Sequence, residues 1–362
     1  MTLKPIAYSV ALTFCLAGLA MADDIEETAE TFPGITGTLD LELGDDWTIH
    51  SDDQSTEFND LFGSAELAVR MGLAPWLAIN GGLTLETVLE GASGANRAFD
   101  DIGLYVDTLN AEFTFASFTV TAGKFGPGFG TAWDITPGVY GTSFAEDYEL
   151  SEQIGVGLST ELGATPFGMV ALGANVFFAD TTHFSQSAFT NRGRTQLSDG
   201  GVGNTETLNN FSLTLDGSEM SGVPGLTWHL GYRHLSAGQG NSNSENGFVA
   251  GVAREFEMSE SLTVITTGEI AYFTGYGGAD DKALYATAGV GLISGPWHGE
   301  LAANLRNVNF GAGGSKRDKL VQLSMGYEFE NGVDISAALA HVVDTGVASQ
   351  YVGLRLTKSL EF

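Results

Sequence analysis

The 362-residue sequence is poor in cysteine, in positive charge and in long apolar runs. Its one cysteine is Cys15, so the chain after it cannot build a disulfide framework or bind a metal through cysteine. Lysine and arginine total 15 against 45 aspartates and glutamates, and the formal net charge of −30 argues against nucleic acid as a partner. After residue 22 no apolar run reaches the roughly 18 residues of a membrane-spanning helix, which argues against a helical membrane protein.

The N-terminal segment has the composition of a secretory signal peptide. Lys4 precedes an apolar stretch at 6–19, and Ala20-Met21-Ala22 matches an A-x-A cleavage site. A membrane-spanning helix is the alternative, and the shortness of the apolar stretch disfavours it. The chain therefore divides into a predicted signal peptide at 1–22, a short acidic leader at 23–33 and one domain at 34–362.

Side-chain polarity alternates with a period of two through this domain, and the alternation is interrupted by Gly, Asn, Asp, Ser and Pro. Such alternation is typical of β-strands with two different faces. The pattern predicts sixteen strands, at 34–44, 61–72, 76–89, 102–115, 117–126, 152–162, 167–178, 207–217, 225–236, 247–257, 262–274, 282–293, 297–308, 319–329, 333–344 and 350–362.

Short and long connections alternate between these strands. Brief ones such as 163–166 and 294–296 lie between long ones such as 127–151 and 179–206. An even number of strands, with tight turns at one rim and long loops at the other, is typical of an outer-membrane barrel. A soluble β-sandwich has the same periodicity with its apolar face inside. We predict the barrel: an all-β, transmembrane, antiparallel up-and-down structure in the cell outer membrane of a Gram-negative bacterium.

The last predicted strand continues to the final residue. Leu354, Leu356, Leu360 and Phe362 share one face, and polar residues occupy the other. Closing a barrel requires this strand to pair with the first one, which places Phe362 in the aromatic girdle at the periplasmic interface. Lys358 falls among the lipid-facing leucines, where its side chain either extends to the lipid headgroups or is turned inward by a bulge.

The stretch GKFGPGFGTAWDITPGVYGTSFAEDYELSEQIGVG, at 123–157, resembles a proteobacterial subgroup of the bacterial outer-membrane porins, the general diffusion porins of sixteen strands. It has a Gly-Lys-Phe strand end, an aromatic–glycine loop and an acidic Ala-Glu-Asp-Tyr-Glu segment. The similarity extends over the whole chain after the predicted signal peptide. It implies a homotrimer, a terminal phenylalanine that the barrel-assembly machinery recognises, and a loop after the fifth strand that folds into the lumen and constricts the pore.

The loop that matches this constriction runs from Gly126 to Ser151. Its prolines and glycines permit sharp turns, and its aromatic side chains can anchor it by packing. The alternative is an extracellular loop whose carboxylates face water. The candidates for the acidic side of the constriction are Asp134, Glu146, Asp147 and Glu149.

Four arginines have inward parity on the predicted strands and are candidates for a basic pore wall: Arg70, Arg233, Arg306 and Arg355. Arginines that face carboxylates across a narrow passage create a transverse field that separates polar from apolar solutes. The alternative is that each arginine pairs with a nearby carboxylate, such as Glu66, Glu300 or Glu361, and only supports the wall. The parity of Lys124 and Arg254 stays open.

The sequence contains no Gly-x-Ser-x-Gly, His-Glu-x-x-His or P-loop motif, and its six histidines are scattered. We therefore predict no catalytic residues, no metal and no cofactor.

The predicted function is passive diffusion of small hydrophilic solutes and ions, with a mild cation preference suggested by the net charge. A substrate-selective channel for a sugar, a phosphate or an iron chelate is the first alternative, and an enzymatic or purely structural barrel is the second. Outer-membrane lipid and lipopolysaccharide are expected partners.

Overall fold

Sixteen antiparallel strands form a closed barrel in the computed structural model, which describes residues 32–362. The predicted signal peptide and all but the last two residues of the predicted leader lie outside these residues. The strands are β1 Gly34–Ser51, β2 Asn59–Ala74, β3 Leu77–Thr87, β4 Ile102–Phe115, β5 Phe118–Phe125, β6 Gln153–Thr165, β7 Gly168–Ala179, β8 Asn210–Ser218, β9 Leu226–Leu235, β10 Glu245–Ser259, β11 Leu262–Thr274, β12 Lys282–Ser294, β13 Trp297–Asn309, β14 Ser315–Glu328, β15 Val333–Asp344 and β16 Val347–Glu361.

Each strand pairs with its neighbours in the chain, and β16 pairs with β1 to close the barrel. The closing register runs from Thr38 opposite Glu361 to Ser51 opposite Ser349. Beyond it, Phe362 exchanges two backbone hydrogen bonds with Gly37, of 2.9 and 3.0 Å. The final residue is therefore part of the closed sheet, as the alternating pattern at this end predicts.

The barrel is apolar outside and polar inside. On β14, Leu323 is 59% exposed on the outer face, whereas the neighbouring inward Gln322 is 1% exposed. A β-sandwich would bury the leucine, so this alternative is excluded. A closed barrel that satisfies its backbone hydrogen bonds and presents an apolar outer wall is the form in which β-strands cross an outer membrane. In the described part of the chain, no helix is long and apolar enough to cross a membrane.

Exposed aromatic side chains lie at both ends of the apolar band, as in the girdles of outer-membrane barrels. Phe362 is one of those at the rim of short turns, together with Trp76, Phe118 and Trp297. Lys358 points outward near the same rim, and its ammonium group donates to the carbonyl of Asn331 in the turn between β14 and β15. The register of β16 is regular around Lys358, so the side chain extends towards the headgroup region without a bulge.

All sixteen predicted strands are present in the predicted order, but several boundaries were wrong. The first strand continues to Ser51, so Asp45 and Asp46 belong to β1 and not to a loop. Likewise β14 begins at Ser315 and β16 at Val347, and the connections before them are only 310–314 and 345–346. Charged residues at the outer rim interrupt the apolar alternation, but the backbone pairing continues through them.

Candidate functional site

The loop after β5 folds into the barrel. Between Gly126 and Ser151 the aromatic side chains of Phe129, Tyr140 and Tyr148 are buried against inward-facing residues of the wall. The loop contains one short helical turn, Ala132–Ile135, and a 3-10 turn, Glu146–Tyr148. An extracellular loop facing water would leave these aromatic side chains exposed, so this alternative is excluded.

Glu269, on the inner face of β11, holds the first part of the loop. Its carboxylate accepts hydrogen bonds from the backbone N–H of Thr131 at 2.7 Å and of Ala132 at 3.2 Å. It also accepts from the Thr131 hydroxyl at 3.0 Å and from the Tyr148 hydroxyl at 2.7 Å. The free N–H groups at the start of the helical turn are thus satisfied by a carboxylate from the opposite wall. An isolated carboxylate within an otherwise uncharged strand was a usable sequence signal, and it was missed.

A histidine of β9 adds a second contact to the same part of the loop. The N–H of Gly130 donates to Nε2 of His229 at 3.1 Å, and Nδ1 of His229 lies 2.6 Å from a carboxylate oxygen of Asp216. Because Nε2 accepts the hydrogen bond from Gly130, the ring N–H is on Nδ1. This N–H donates to the carboxylate of Asp216.

The middle of the loop lies directly on the wall formed by β12 to β16. Gly138 has a φ of +105°, and a Cβ at this position would approach Nε2 of Gln322 to 1.7 Å. The carbonyl of Gly141 accepts from the side-chain amide of Asn304 at 2.9 Å. The hydroxyl of Tyr140 donates to Asp46 of β1 at 2.5 Å. The positive φ favours glycine at 138, and a side chain there would also have to displace the buried amide of Gln322.

Three of the four predicted pore-wall arginines lie beneath this loop, and we call them the anchor arginines: Arg233, Arg306 and Arg355. All three are buried. Arg233 donates to the carbonyl of Tyr148 at 2.6 Å and to Glu245 at 2.7 Å. They are positioned to hold the loop against the wall.

The other two anchor arginines also bind carboxylates. Arg306 lies 2.6 Å from Asp147 of the loop, and it also pairs with Asp318 at 2.8 Å and Asp344 at 2.7 Å. Arg355 pairs with Asp46 at 2.8 Å and with Glu42 at 3.0 Å. Wall pairing thus occurs, but with carboxylates other than Glu66, Glu300 and Glu361. We expected the arginines to face the loop carboxylates across open lumen; instead the loop covers them.

Arg70 stands apart from the anchor arginines. Its side chain is 34% exposed inside the barrel and pairs with Glu112 at 2.7 Å. It lies beside Thr36 of β1, whereas Arg355 lies beside Gly44. Eight residues of strand correspond to about 26 Å, so these two arginines do not act on the same solute position.

The wall that the loop leaves uncovered carries carboxylates, and we call four of them the acidic wall: Asp40, Glu66, Glu86 and Asp107. Asp40 lies directly opposite Glu66 across the β1–β2 pair. The charges of Asp107, Glu86 and Asp40, together with Glu149 of the loop, all act on Glu66. All four are half-buried. The acidic wall and Glu149 of the loop therefore place carboxyl groups on both sides of the passage between loop and wall.

A β-bulge turns Asp107 into the lumen. Gly82 of β3 pairs with Thr108 and the next residue, Leu83, pairs with Val106, so Asp107 is an extra residue in β4. A Cβ on Gly82 would lie 2.2 Å from a carboxylate oxygen of Asp107, so the glycine makes room for the acid. Bulges re-aim side chains in this way. The sequence alternation alone places Asp107 on the lipid side.

The four predicted constriction carboxylates occupy different environments. Asp147 is bound to Arg306, and Glu146 accepts from the Thr142 hydroxyl at 2.7 Å. The charge of Glu149 acts on Glu66 of the acidic wall. Asp134 is half-buried, and one of its oxygens has no hydrogen-bond partner among the described residues. Burial raises the pKa of Asp134 to about 6.

A second long loop, 180–209, crosses the outer rim above β5 and β6. Its two-residue strand Ala188–Phe189 pairs with β4. Arg192 stacks on the ring of Tyr105 at 3.7 Å and reaches Glu152 at 2.5 Å. Lys124, whose parity was open, is buried and pairs with Glu152 and Asp180 at 2.8 Å each.

Arg254, the other position whose parity was open, points outward near the short turns and stacks on Phe256 at 4.2 Å.

Part of the lumen is open to solvent. The inward side chain of Asp216 is 44% exposed, and that of Arg70 is 34% exposed. Both belong to strands whose outer face is apolar, so the water that reaches them is inside the barrel.

The comparisons with known proteins agree with this architecture. No protein-family model matches the sequence, and a search of curated proteins found no match. The outer membrane channel DcaP of Acinetobacter baumannii matches with a TM-score of 0.56 at 12% identity, covering 90% of this chain and 96% of that one. OpdK of Pseudomonas aeruginosa, solved with vanillate, matches with a TM-score of 0.54 at 10% identity, covering 92% and 100%.

A third structure, a loop L8 deletion mutant of the outer membrane protein OmpT of Vibrio cholerae, has a TM-score of 0.51 at 12% identity and covers 90% of this chain and 98% of that one. These similarities concern the fold. The predicted fold, a sixteen-stranded antiparallel barrel of the outer-membrane type, is confirmed.

Proposed function

We propose that the protein is an outer-membrane channel for passive diffusion of small hydrophilic solutes and ions, with a preference for cations. The observation that carries the proposal is the unequal distribution of charge in the lumen. The anchor arginines are neutralised under the loop, whereas the acidic wall borders the passage that remains. Carboxylates in a confined passage raise the local concentration of cations and repel anions.

The reversal potential of the channel in a KCl gradient tests this proposal. In a planar bilayer the refolded protein should give stable conductance steps and a reversal potential on the cation side. Glu66→Gln combined with Asp107→Asn should lower the K⁺ over Cl⁻ permeability ratio by about twofold or more, because neutral amides replace two of the carboxyl groups along the passage. The matched control is Glu219→Gln with Glu260→Gln, which removes the same charge from exposed periplasmic turns.

Two outcomes would contradict the proposal. An anion-side reversal would refute the cation preference. Well-folded protein without steady conductance would refute the channel, and an enzymatic or structural role would then be the better account. We propose no catalytic role, no metal and no cofactor.

A substrate-selective channel is the second candidate. OpdK was solved with vanillate, an aromatic carboxylate. The acidic wall disfavours such an anion, and it disfavours phosphate for the same reason, so a neutral sugar fits this passage better. Saturable block of the conductance by a sugar at millimolar concentration supports selectivity, whereas conductance that is independent of added sugar supports passive diffusion.

The proposal extends to export and assembly. Residues 1–22 would act as the signal peptide, the barrel-assembly machinery would recognise Phe362, and the barrels would associate as homotrimers. Conductance steps in groups of three, together with a trimer mass in mild detergent, would support the trimer. A monomer mass with single steps would refute it.

A further inference from the structure

We propose that the outward-facing cations at the extracellular end of β12 and β14 bind the phosphate groups of lipopolysaccharide. This basic patch consists of Lys282, Arg317 and Lys319. The inference concerns the outside of the barrel and does not rest on conduction through its lumen.

The three side chains face the membrane side of the wall. On β14, Arg317 and Lys319 alternate with the buried, inward Asp318 and continue the row of exposed Val321 and Leu323. Lys282 begins β12, one strand removed from β14, at the same rim. All three cations are exposed.

The patch is compact. Lys319 and Arg317 are two residues apart, which is about 7 Å along the strand, and β12 lies about 10 Å from β14. Between them, the outward amide side chains of Asn307 and Asn309 on β13 add hydrogen-bond donors. Long lysine and arginine side chains at these spacings can reach one phosphorylated headgroup together.

These cations are free to bind a ligand. In the described part of the chain, none of the three has a carboxylate partner within ion-pair distance. By contrast, Lys316, next to Arg317, turns inward and pairs with Asp318 at 3.1 Å and Asp344 at 3.2 Å. The nearest loop carboxylate in sequence, Asp281, accepts from the N–H of Gly311 at 2.8 Å.

The position in the membrane decides the occupant. The patch lies at the rim with the long loops, which is the extracellular side of an outer-membrane barrel. Directly below it the same face becomes apolar, with exposed Leu301, Leu323 and Leu339. A ligand that meets both surfaces carries phosphate above acyl chains, which describes the phosphorylated lipid of the outer leaflet. A chain with a net charge of −30 otherwise repels such a lipid.

Binding of bisphosphorylated lipid A to the detergent-solubilised barrel tests the proposal, in EDTA so that divalent ions do not contribute. Each cation near an anionic lipid surface strengthens binding about fivefold, so Arg317→Gln with Lys319→Gln should weaken it about 20- to 30-fold. The matched control is Arg254→Gln with Lys358→Gln, which makes the same change in charge at the periplasmic rim. It should leave lipid A affinity within about twofold of wild type.

The remaining comparisons identify the chemistry. Dephosphorylated lipid A should bind wild type as weakly as the patch variant binds the phosphorylated form. Equal losses in the patch and control variants would overturn the proposal, as would equal binding of dephosphorylated lipid A. Binding that disappears in EDTA, or that equimolar inorganic phosphate abolishes, would also overturn it. The single variants Arg317→Gln and Lys319→Gln, each about fivefold weaker, replace the double variant if it does not fold.

Discussion

Two parts of the same barrel wall use charge in opposite ways. From β9 to β16 the inward polar side chains bind the loop, as Glu269 and the anchor arginines illustrate. At Asp40 of β1 and along β2 to β4 the loop does not cover the wall, and the half-buried side chains of the acidic wall border the passage. Inward parity therefore does not define a pore-lining residue. A lumen residue contributes to selectivity only where the loop leaves it uncovered.

The largest contrast is expected between a covered and an uncovered arginine. Arg306→Ala leaves Asp147, Asp318 and Asp344 close together, and should lower the free energy of unfolding by about 3–5 kcal/mol. Arg70→Ala removes a partly exposed pair and should lower it by less than about 1 kcal/mol. Urea unfolding followed by tryptophan fluorescence measures both. Equal losses in the two variants would remove the distinction between the two regions.

The next effect concerns the attachment of the loop. Glu269→Ala leaves the N–H groups of Thr131 and Ala132 and the hydroxyl of Tyr148 without their acceptor. We expect a loss of about 3 kcal/mol and a larger, noisier single-channel conductance, because the loop no longer stays on the wall. Glu255→Ala, an exposed inward position near the periplasmic rim, is the control and should conduct as wild type does. A Glu269→Ala channel with unchanged conductance would show that Glu269 does not hold the loop.

The smallest effect is a pH dependence within the loop. The pKa of Asp134 rises from 3.8 to about 6 on folding, so between these values the folded chain binds more protons than the unfolded chain. The contribution of Asp134 to stability is therefore full below pH 4 and is lost as the pH rises through about 6. Asp134→Asn should stabilise the protein at pH 7 relative to wild type and have little effect at pH 4. Glu206→Gln, in an exposed outer loop, should change neither value; a pH-independent effect of Asp134→Asn would contradict this assignment.

The strands could be predicted because each depends on a local period of two in polarity. The pattern identified all sixteen, and the closing strand that ends on Phe362 was a consequence of the same rule. The extension of β1 to Ser51 was missed because Asp45-Asp46 resembles a turn. Only the path of the loop shows that Asp46 has the buried partners Tyr140 and Arg355.

The candidate site was less predictable, for a physical reason. The contacts between the loop and the anchor arginines join distant residues: Arg233 and Tyr148 are 85 positions apart, and Arg306 and Asp147 are 159 positions apart. No local pattern encodes which strands the loop lies against. The bulge at Asp107 also reverses the parity of the residues before it in β4, so an acid that alternation assigns to lipid lies in the lumen.

Accessibility of single cysteines to charged thiol reagents distinguishes the covered wall from the uncovered wall. The one native cysteine, Cys15, lies in the predicted signal peptide, so an introduced cysteine is the only thiol in a chain that starts at Asp23. Glu66→Cys lies on the uncovered wall, and Gln322→Cys lies beneath Gly138 of the loop. We expect a cationic reagent to lower the conductance of the Glu66→Cys channel faster than an anionic reagent does, and to leave the conductance of the Gln322→Cys channel unchanged. Rapid block at Gln322→Cys with no effect at Glu66→Cys would show that solutes pass on the other side of the loop.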